Sequence, residues 1–205
     1  MQVAGREAES AFGDKSVYLE KLLVGPRHVE VQVMGDLKGN VVHLFERECS
    51  MQRRRQKVLE EAPSPGIDTR LREEMTEAAV RLAREVEYAN AGTVEFLVED
   101  PDEDFMPSPG EISFLDVPGG PGVRVDSAIY QGYKIPPFYD SMNGKLIVWA
   151  LSREEAINRA RRALREYRVE GIKTTIPLHI RLLEEKALRS GDYHTGYLEE
   201  LLKRA

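Results

Sequence analysis

Val29, Val31 and Val33 alternate with His28, Glu30 and Gln32, a period of two that places the valines on one surface of a strand and the polar residues on the other. The Gly35-Asp36-Leu37-Lys38-Gly39-Asn40 run that follows has turn chemistry, and Val41 to Glu46 reads as a second strand. Together they predict an antiparallel hairpin with one apolar and one polar face. A hairpin of this kind requires a core on one side and leaves the other free to carry chemistry.

Directly beyond it lies Arg47-Glu48-Cys49-Ser50-Met51-Gln52-Arg53-Arg54-Arg55-Gln56-Lys57, then Glu60-Glu61-Ala62-Pro63-Ser64-Pro65-Gly66. The five cations stand in a chain of net charge -6 and pI about 5.4. That acidic balance argues against a nucleic-acid partner, which demands a clearly basic surface. Such a local run is either a solvated charge stretch or a grip for a small anion, and the residues alone leave both readings open. Cys49 is the single cysteine, so no internal disulfide can form; without a His/Asn partner pattern it reads as a small packing residue. The opening residues have neither a signal-like apolar core nor a transit pattern, and no run approaches the ~18 apolar residues of a membrane span. A cytoplasmic chain without a membrane partner is expected.

With 205 residues there is material for one medium core or two small ones. Met1 to Lys15 carries a helical pattern through Ala8, Ala11 and Phe12, and begins as if already under way. Tyr18 to Leu23 reads as a strand. Asp68 is placed to cap a helix with apolar positions Leu71, Met75, Ala78, Leu82 and Val86, stopped at Asn90-Ala91-Gly92. Thr93 to Val98 is a strand with Glu95 and Leu97 on one face and Val94, Phe96 and Val98 on the other. The acidic break Glu99-Asp100-Pro101-Asp102-Glu103-Asp104 lacks the spacing and central glycine of a calcium loop; it divides residues 1–100 from 101–205. Beyond it come short β-type runs, Glu111 to Val117, Val123 to Tyr130 and Lys145 to Leu151. Pro118-Gly119-Gly120-Pro121-Gly122 is a turn rather than a phosphate loop, having no following Lys-Ser/Thr. Ser152-Arg153-Glu154-Glu155 is a capping box before a helix through Ile157, Ala160, Leu164 and Tyr167, ended by Gly171. Pro177 suits the first turn of a helix toward Leu188, and Tyr197 to Lys203 a last one. The fold class is α+β.

Three segments carry a resemblance: Pro26-Arg27-His28-Val29-Glu30-Val31-Gln32, Cys49-Ser50-Met51-Gln52-Arg53-Arg54, and Pro136-Pro137-Phe138-Tyr139-Asp140-Ser141-Met142. Each is long and unusual, and their order resembles that of biotin carboxylase, the ATP-grasp ligase of acetyl-CoA, propionyl-CoA and pyruvate carboxylases. The likeness runs from about Ala8 to the chain end. It implies a partial ATP-grasp domain over 1–100, then a biotin carboxylase C-terminal domain with mixed or antiparallel sheet and helices over 101–205. In the family, bicarbonate attacks the terminal phosphate of ATP, and the resulting carboxyphosphate delivers carbon dioxide to biotin on a carrier protein. The implied cofactors are ATP and Mg2+ (or Mn2+), with biotin as substrate. The implied partners are the biotin carboxyl carrier protein, a carboxyltransferase and a second subunit bound through the C-terminal domain, where Arg124 matches an interface arginine and Pro121 replaces an aromatic.

The resemblance also implies roles for single residues. Lys57 matches the lysine that holds bicarbonate. Arg55, two places earlier, matches a nucleotide-contacting position where the family usually has histidine. Glu20, Lys21, Leu22 and Leu23 match the interdomain strand against adenine, His28, Gln52 and Leu97 match further nucleotide contacts, and Glu95 matches the first metal-binding glutamate. On residue type alone, a Glu-Lys pair is surface decoration, a strand histidine is a structural residue and a lone strand glutamate faces solvent.

Parts of the family pattern are missing. The amino-terminal domain and glycine-rich lid would precede Met1. Where a second metal glutamate and the arginines and glutamate of the bicarbonate and biotin sites are expected after Glu95, Val98-Glu99-Asp100 runs into Pro101, as if an internal deletion had joined two Glu-Asp ends. The expectation is a ligase-family chain with negligible turnover by itself, its phosphoryl-transfer stabilisers being incomplete, and with apolar surface exposed where the absent elements belonged. The alternatives are a non-catalytic assembly module pairing with a full-length carboxylase subunit, and a degraded gene product.

Overall fold

The computed structural model describes residues 2–20, 23, 25–53, 56–99, 110–111, 114–136 and 142–204. In chain order the elements are α1 (Gln2–Phe12), β1 (Pro26–Gly35), β2 (Val41–Arg53), β3 (Gln56–Glu61), α2 (Thr69–Glu85), β4 (Ala91–Glu99), β5 (Gly110–Glu111), β6 (Phe114–Asp116), β7 (Val123–Asp126), β8 (Lys134–Ile135), β9 (Lys145–Val148), α3 (Arg153–Glu166), β10 (Arg168–Glu170), α4 (Ile176–Leu182), α5 (Lys186–Ser190) and α6 (Tyr197–Lys203). This is an α+β architecture, as expected.

The predicted hairpin is β1 paired antiparallel with β2, at the centre of a sheet ordered β3-β2-β1-β4. Val29, Val31 and Val33 are buried with Val41 and with Met75, Ala79 and Ala83 of α2. Val94, Phe96 and Val98 of β4 pack against the same cluster, as their alternation requires. The ladder shifts between Val31 and Val33, and Phe45 takes φ 61, a left-handed geometry uncommon for a bulky residue. This bulge moves inward-facing positions from odd to even: Val41 is buried on the α2 side, and so are Glu46 and Glu48.

Two buried carboxylates facing a helix need partners. Glu48 accepts hydrogen bonds from Ser64 Oγ at 2.7 Å, Arg27 at 3.2 Å and the Ser50 hydroxyl. Glu46 accepts from Arg72 Nε of α2 at 2.7 Å and from the Ser64 amide at 3.1 Å. The helix itself is capped as predicted, Asp68 Oδ1 accepting from the Leu71 amide at 2.7 Å. Its buried stripe is displaced from the predicted one. Met75, Thr76, Ala79 and Ala83 face the sheet, while Leu82 and Val86 are exposed, because small residues let α2 approach β1 and β2 closely.

The second core gathers Ile157 and Leu164 of α3, Leu182 of α4, Leu188 of α5, and Leu198 and Leu201 of α6 around Met51 of β2, with Val58 and Leu59 of β3 against it. The last four helices are therefore seated on the strands that carry the basic run. His179 sets its ring nitrogens against the carbonyl oxygens of Thr175 and Val58 at 2.7 and 2.8 Å. Glu61 of β3 accepts from Arg153 Nε at 2.6 Å and from the Tyr193 hydroxyl at 2.7 Å.

Other expectations are corrected in detail. Residues 18–20 and 23 are not strand. Strand β2 runs past the predicted end at Glu46 through Arg53, so the start of the basic run is ladder. The helix begun by Pro177 stops at Leu182 and resumes at Lys186, and the helix capped by Ser152 ends at Glu166, before β10. Ser152 Oγ accepts from the Glu155 amide at 3.2 Å. The β-type runs of the second half are shorter than predicted and form two-stranded ribbons, β10-β6, β5-β8 and β7-β9. Pro118 to Gly122 is a turn region, with Gly120 and Gly122 at φ 101 and 70, values that suit glycine.

Candidate functional site

The polar face of the sheet, opposite α2, brings four of the sequence-predicted residues together: His28, Lys57, Glu95 and Leu97. Strands β1 and β4 pair with Glu30 opposite Glu95 and His28 opposite Leu97. Since residues two apart share a face, His28, Glu30, Glu95 and Leu97 form one patch. Lys57 reaches it from β3, although β2 lies between β3 and β1.

Lys57 Nζ donates to Glu30 Oε2 at 2.5 Å and to Glu95 Oε1 at 2.9 Å. Glu30 is nearly buried, and its other oxygen, Oε1, accepts from Arg47 Nε at 2.8 Å and Nη2 at 2.5 Å. Burial alone would raise the Glu30 pKa; hydrogen bonds from Lys57 and Arg47 outweigh it and hold the carboxyl below its ordinary value. For Lys57 burial would lower the pKa, and the bonds to Glu30 and Glu95 raise it instead. Both groups are thus fixed in their charged forms.

His28 is buried, its amide donating to Ser50 Oγ at 2.9 Å. Its ring Nε2 lies 3.5 Å from Glu95 Oε2. One donor atom each from His28, Glu30 and Glu95 can be chosen so that all lie within 4.8 Å of one another. Cys49, buried on β2, has donor atoms of Glu30 and Glu60 at comparable range; burial first, then the charges of those glutamates, pushes its thiol pKa up, so it is an inert thiol.

Leu97 is 65% exposed, an apolar side chain in the open beside His28. Gln52 pairs in register with Lys57. Glu20 is exposed and Leu23 half-buried in the segment before β1. Lys21, Leu22, Arg54 and Arg55 lie outside the described residues. The basic run does not form a free cationic surface among the described residues: Arg47 and Lys57 are paired with Glu30, and Arg53 Nε with Glu199 of α6 at 3.1 Å. Glu30 and Arg47 were absent from the sequence-predicted set. The signal for Glu30 lay in its sharing the polar face with His28.

The donor set suits Mg2+ poorly. That ion takes oxygen ligands in near-ideal octahedral geometry, whereas here both oxygens of Glu30 are held by cations, Glu95 is shared with Lys57 and the next donor is an imidazole nitrogen.

Comparison with known proteins places this sheet. Residues 1–107 match the family described as carbamoyl-phosphate synthase L chain, ATP binding domain, and residues 95–200 match the biotin carboxylase C-terminal domain. A pyruvate carboxylase subunit of Methanothermobacter thermautotrophicus is 44% identical over 255 residues, covering 94% of this chain and 52% of that protein. Biotin carboxylase 1 of Bacillus subtilis is 41% identical over 263 residues, covering 97% and 58%. Both alignments are longer than the 205-residue chain, so these relatives carry residues between matched segments that have no counterpart here. Among solved structures, the biotin carboxylase domain of a thermophilic 2-oxoglutarate carboxylase bound to bicarbonate superposes with TM-score 0.87 at 36% identity, covering 97% of this chain and 59% of that one. The Campylobacter jejuni biotin carboxylase in complex with a β,γ-ATP ligand gives TM-score 0.86 at 35% identity, covering 97% and 58%. The chain spans little more than half the length of these relatives, and no helix among the described residues is long and apolar enough to cross a membrane. It belongs to the biotin carboxylase family.

Proposed function

We propose that this chain is a partial biotin carboxylase, a component of ATP- and bicarbonate-dependent carboxylation of biotin on a carrier protein, with negligible turnover as an isolated polypeptide. In this reading residues 1–100 are the partial ATP-grasp domain and 101–205 the C-terminal domain. Lys57 is the bicarbonate-binding cation, Glu95 the counterpart of the family's first metal-binding carboxylate, and Leu97, His28 and Gln52, with Glu20 to Leu23 and Arg55, belong to the nucleotide site. The observation that carries it is the convergence of Lys57, Glu30, Glu95 and His28 on one sheet face in a chain that matches both family regions.

The ammonium of Lys57 is charged and rigidly held, as an anion grip should be. Leu97 offers an exposed apolar surface for a flat ring, and His28 is fixed at its edge through the backbone bond to Ser50. Phosphoryl transfer relies on positioning and charge stabilisation by several groups at once. The resemblance puts the residues that would complete the cage in segments for which this chain has no counterpart, a reading that the alignments, longer than the chain itself, support. Losing one such stabiliser costs ~100-fold or more in rate, which supports the expectation of negligible turnover. Because the described donors fit Mg2+ poorly, no step is assigned to a metal here.

Bicarbonate-dependent ATP hydrolysis with free biotin tests the reading: activity indistinguishable from a Lys57→Ala control is expected, together with retained binding of a fluorescent adenine nucleotide that Leu97→Asp weakens. Robust biotin carboxylation by the polypeptide alone would overturn the inactivity, and absence of nucleotide binding would overturn the site. A second reading, an assembly module pairing with a complete carboxylase subunit, is favoured by the folded helices α3 to α6 and predicts co-purification with such a subunit.

A further inference from the structure

Strand β4 is the outer strand of its sheet and pairs only with β1 among the described residues. Its hydrogen-bond phase follows from one bond. The Gly35 amide donates to the Asn90 carbonyl at 2.9 Å, and Gly35 stands opposite Asn90 when the β1-β4 register is continued one step. Backbone groups in an antiparallel ladder alternate in direction. Gly92, Val94, Phe96 and Val98 therefore direct theirs at β1, while Ala91, Thr93, Glu95 and Leu97 turn theirs outward. The Ala91 groups are capped, the amide donating to Asn90 Oδ1 at 2.8 Å and the carbonyl accepting from the Tyr88 hydroxyl at 3.1 Å. The amides and carbonyls of Thr93, Glu95 and Leu97 have no partner among the described residues. A row of free backbone groups is a template for another strand unless proline, lysine, a bulge or a charge blunts it. β4 has no proline or lysine, and its register with β1 is unbroken from Ala91 to Glu99. The charge at its middle, Glu95, is already met by Lys57 at 2.9 Å.

The side chains of the strand point to a second copy as the occupant. Val94, Phe96 and Val98, on the α2 side, read the same in both directions about Phe96. They are only half-buried although they pack on the core, since no described strand lies beyond them. When a second β4 runs antiparallel with a two-fold axis at Phe96, Val94 meets Val98 and Phe96 meets Phe96. Every apolar side chain on that face then gains an apolar neighbour. The same axis puts Glu95 opposite Leu97, two residues whose backbone groups both point outward, so the hydrogen-bond phase selects it independently of the side chains. An axis at Glu95 would also match the phase, but it sets glutamate against glutamate and Val98 against Gly92. We infer that the chain self-associates through β4, two copies of the four-stranded sheet joining into one continuous antiparallel sheet with the two-fold axis at Phe96. The assembly closes at two copies. At the opposite edge of each sheet the Val58 carbonyl of β3 already meets the His179 ring at 2.8 Å, and Val58 and Leu59 pack against the helical core, which obstructs further strand addition. This interface is distinct from the C-terminal contact that the family resemblance implies, and it needs no nucleotide.

Sedimentation velocity of the full chain over a wide concentration range tests it, with monomer passing to dimer expected. Leu97→Pro removes one outward amide from each copy without touching a bond to β1. It should weaken self-association about 10-fold or more while circular dichroism stays that of wild type. Cross-linking reads the register. Phe96→Cys should give a disulfide-linked dimer on mild oxidation, since Cβ atoms of a non-hydrogen-bonded pair stand about 4.5–5.5 Å apart and Cys49 is buried. Val94→Cys and Val98→Cys should each link poorly alone and link to one another when mixed. In the wild-type chain the amides of Thr93, Glu95 and Leu97 should exchange more slowly as concentration rises. Should Leu97→Pro fail to fold, that exchange and the Phe96→Cys link decide. A chain that stays monomeric, a dimer indifferent to Leu97→Pro or lost instead in Arg124→Ala, or a Val94→Cys chain that links to itself while Phe96→Cys does not, overturns the proposal.

Discussion

Glu30 and Lys57 meet at 2.5 Å although the strands that carry them, β1 and β3, are separated in the sheet by β2. The lysine spans that strand to reach a carboxylate that Arg47, on β2, grips from its other oxygen. One buried anion thus ties three strands together on the face opposite α2.

Replacing Glu30 tests that tie through pH. Its carboxyl is held below the ordinary 4.5, where burial alone would raise it, because Lys57 and Arg47 bind the charged form. A depressed pKa contributes stability that is present above about pH 4.5 and is lost as pH falls through the lower, folded-state value. Glu30→Gln should cost about 1.5–3 kcal/mol at pH 7. The difference from wild type should shrink progressively below pH 4.5. Urea unfolding at pH 7 and at successively lower pH measures both; a deficit that does not change with pH would contradict the ion-pair account.

Met51 is fully buried among residues of α3 to α6. Met51→Ala should destabilise the chain by about 2–5 kcal/mol through the transfer and cavity terms. Hydrogen exchange should quicken in α6 as well as in β2, since both line the void. Faster exchange confined to β2 would mean that the helices do not depend on it.

Cys49 should resist thiol reagents in the native protein. It is buried, and burial followed by the charges of Glu30 and Glu60 raises its pKa, so thiolate is scarce at neutral pH. Labelling with a chromogenic disulfide at pH 7.5 should proceed at the rate of unfolding and be complete within seconds in denaturant. Rapid native-state labelling would show the site to be open.

The helix caps allow an independent check. Asp68→Ala and Ser152→Ala each remove an acceptor from a first-turn amide, held at 2.7 and 3.2 Å respectively. Each should cost about 1 kcal/mol, read as a shift in urea midpoint at constant slope. The two sites share no partner, so the double variant should be additive.

Features set by neighbours in sequence were legible: the β1-β2 hairpin, the caps at Asp68 and Ser152, the opposed faces of β4 and the helix from Tyr197. Features set by tertiary context were not. Nothing local announces that the bulge at Phe45 turns Glu46 and Glu48 inward, or that α2 buries Ala79 and Ala83 while Leu82 faces solvent. Lys57, His28, Glu95 and Leu97 were singled out because long motifs carry a family resemblance. Glu30 and Arg47 escaped because their pairing depends on the register of three strands, which no single segment encodes.

The burial of Met51 beneath helices drawn from beyond residue 150 bears on how the chain can be divided. A gene cut at the seam between the two matched regions would strip the first product of its lid and the second of its floor. Neither piece should be well behaved when made separately. Made together in one cell, they should find each other and restore a single cooperative melting transition.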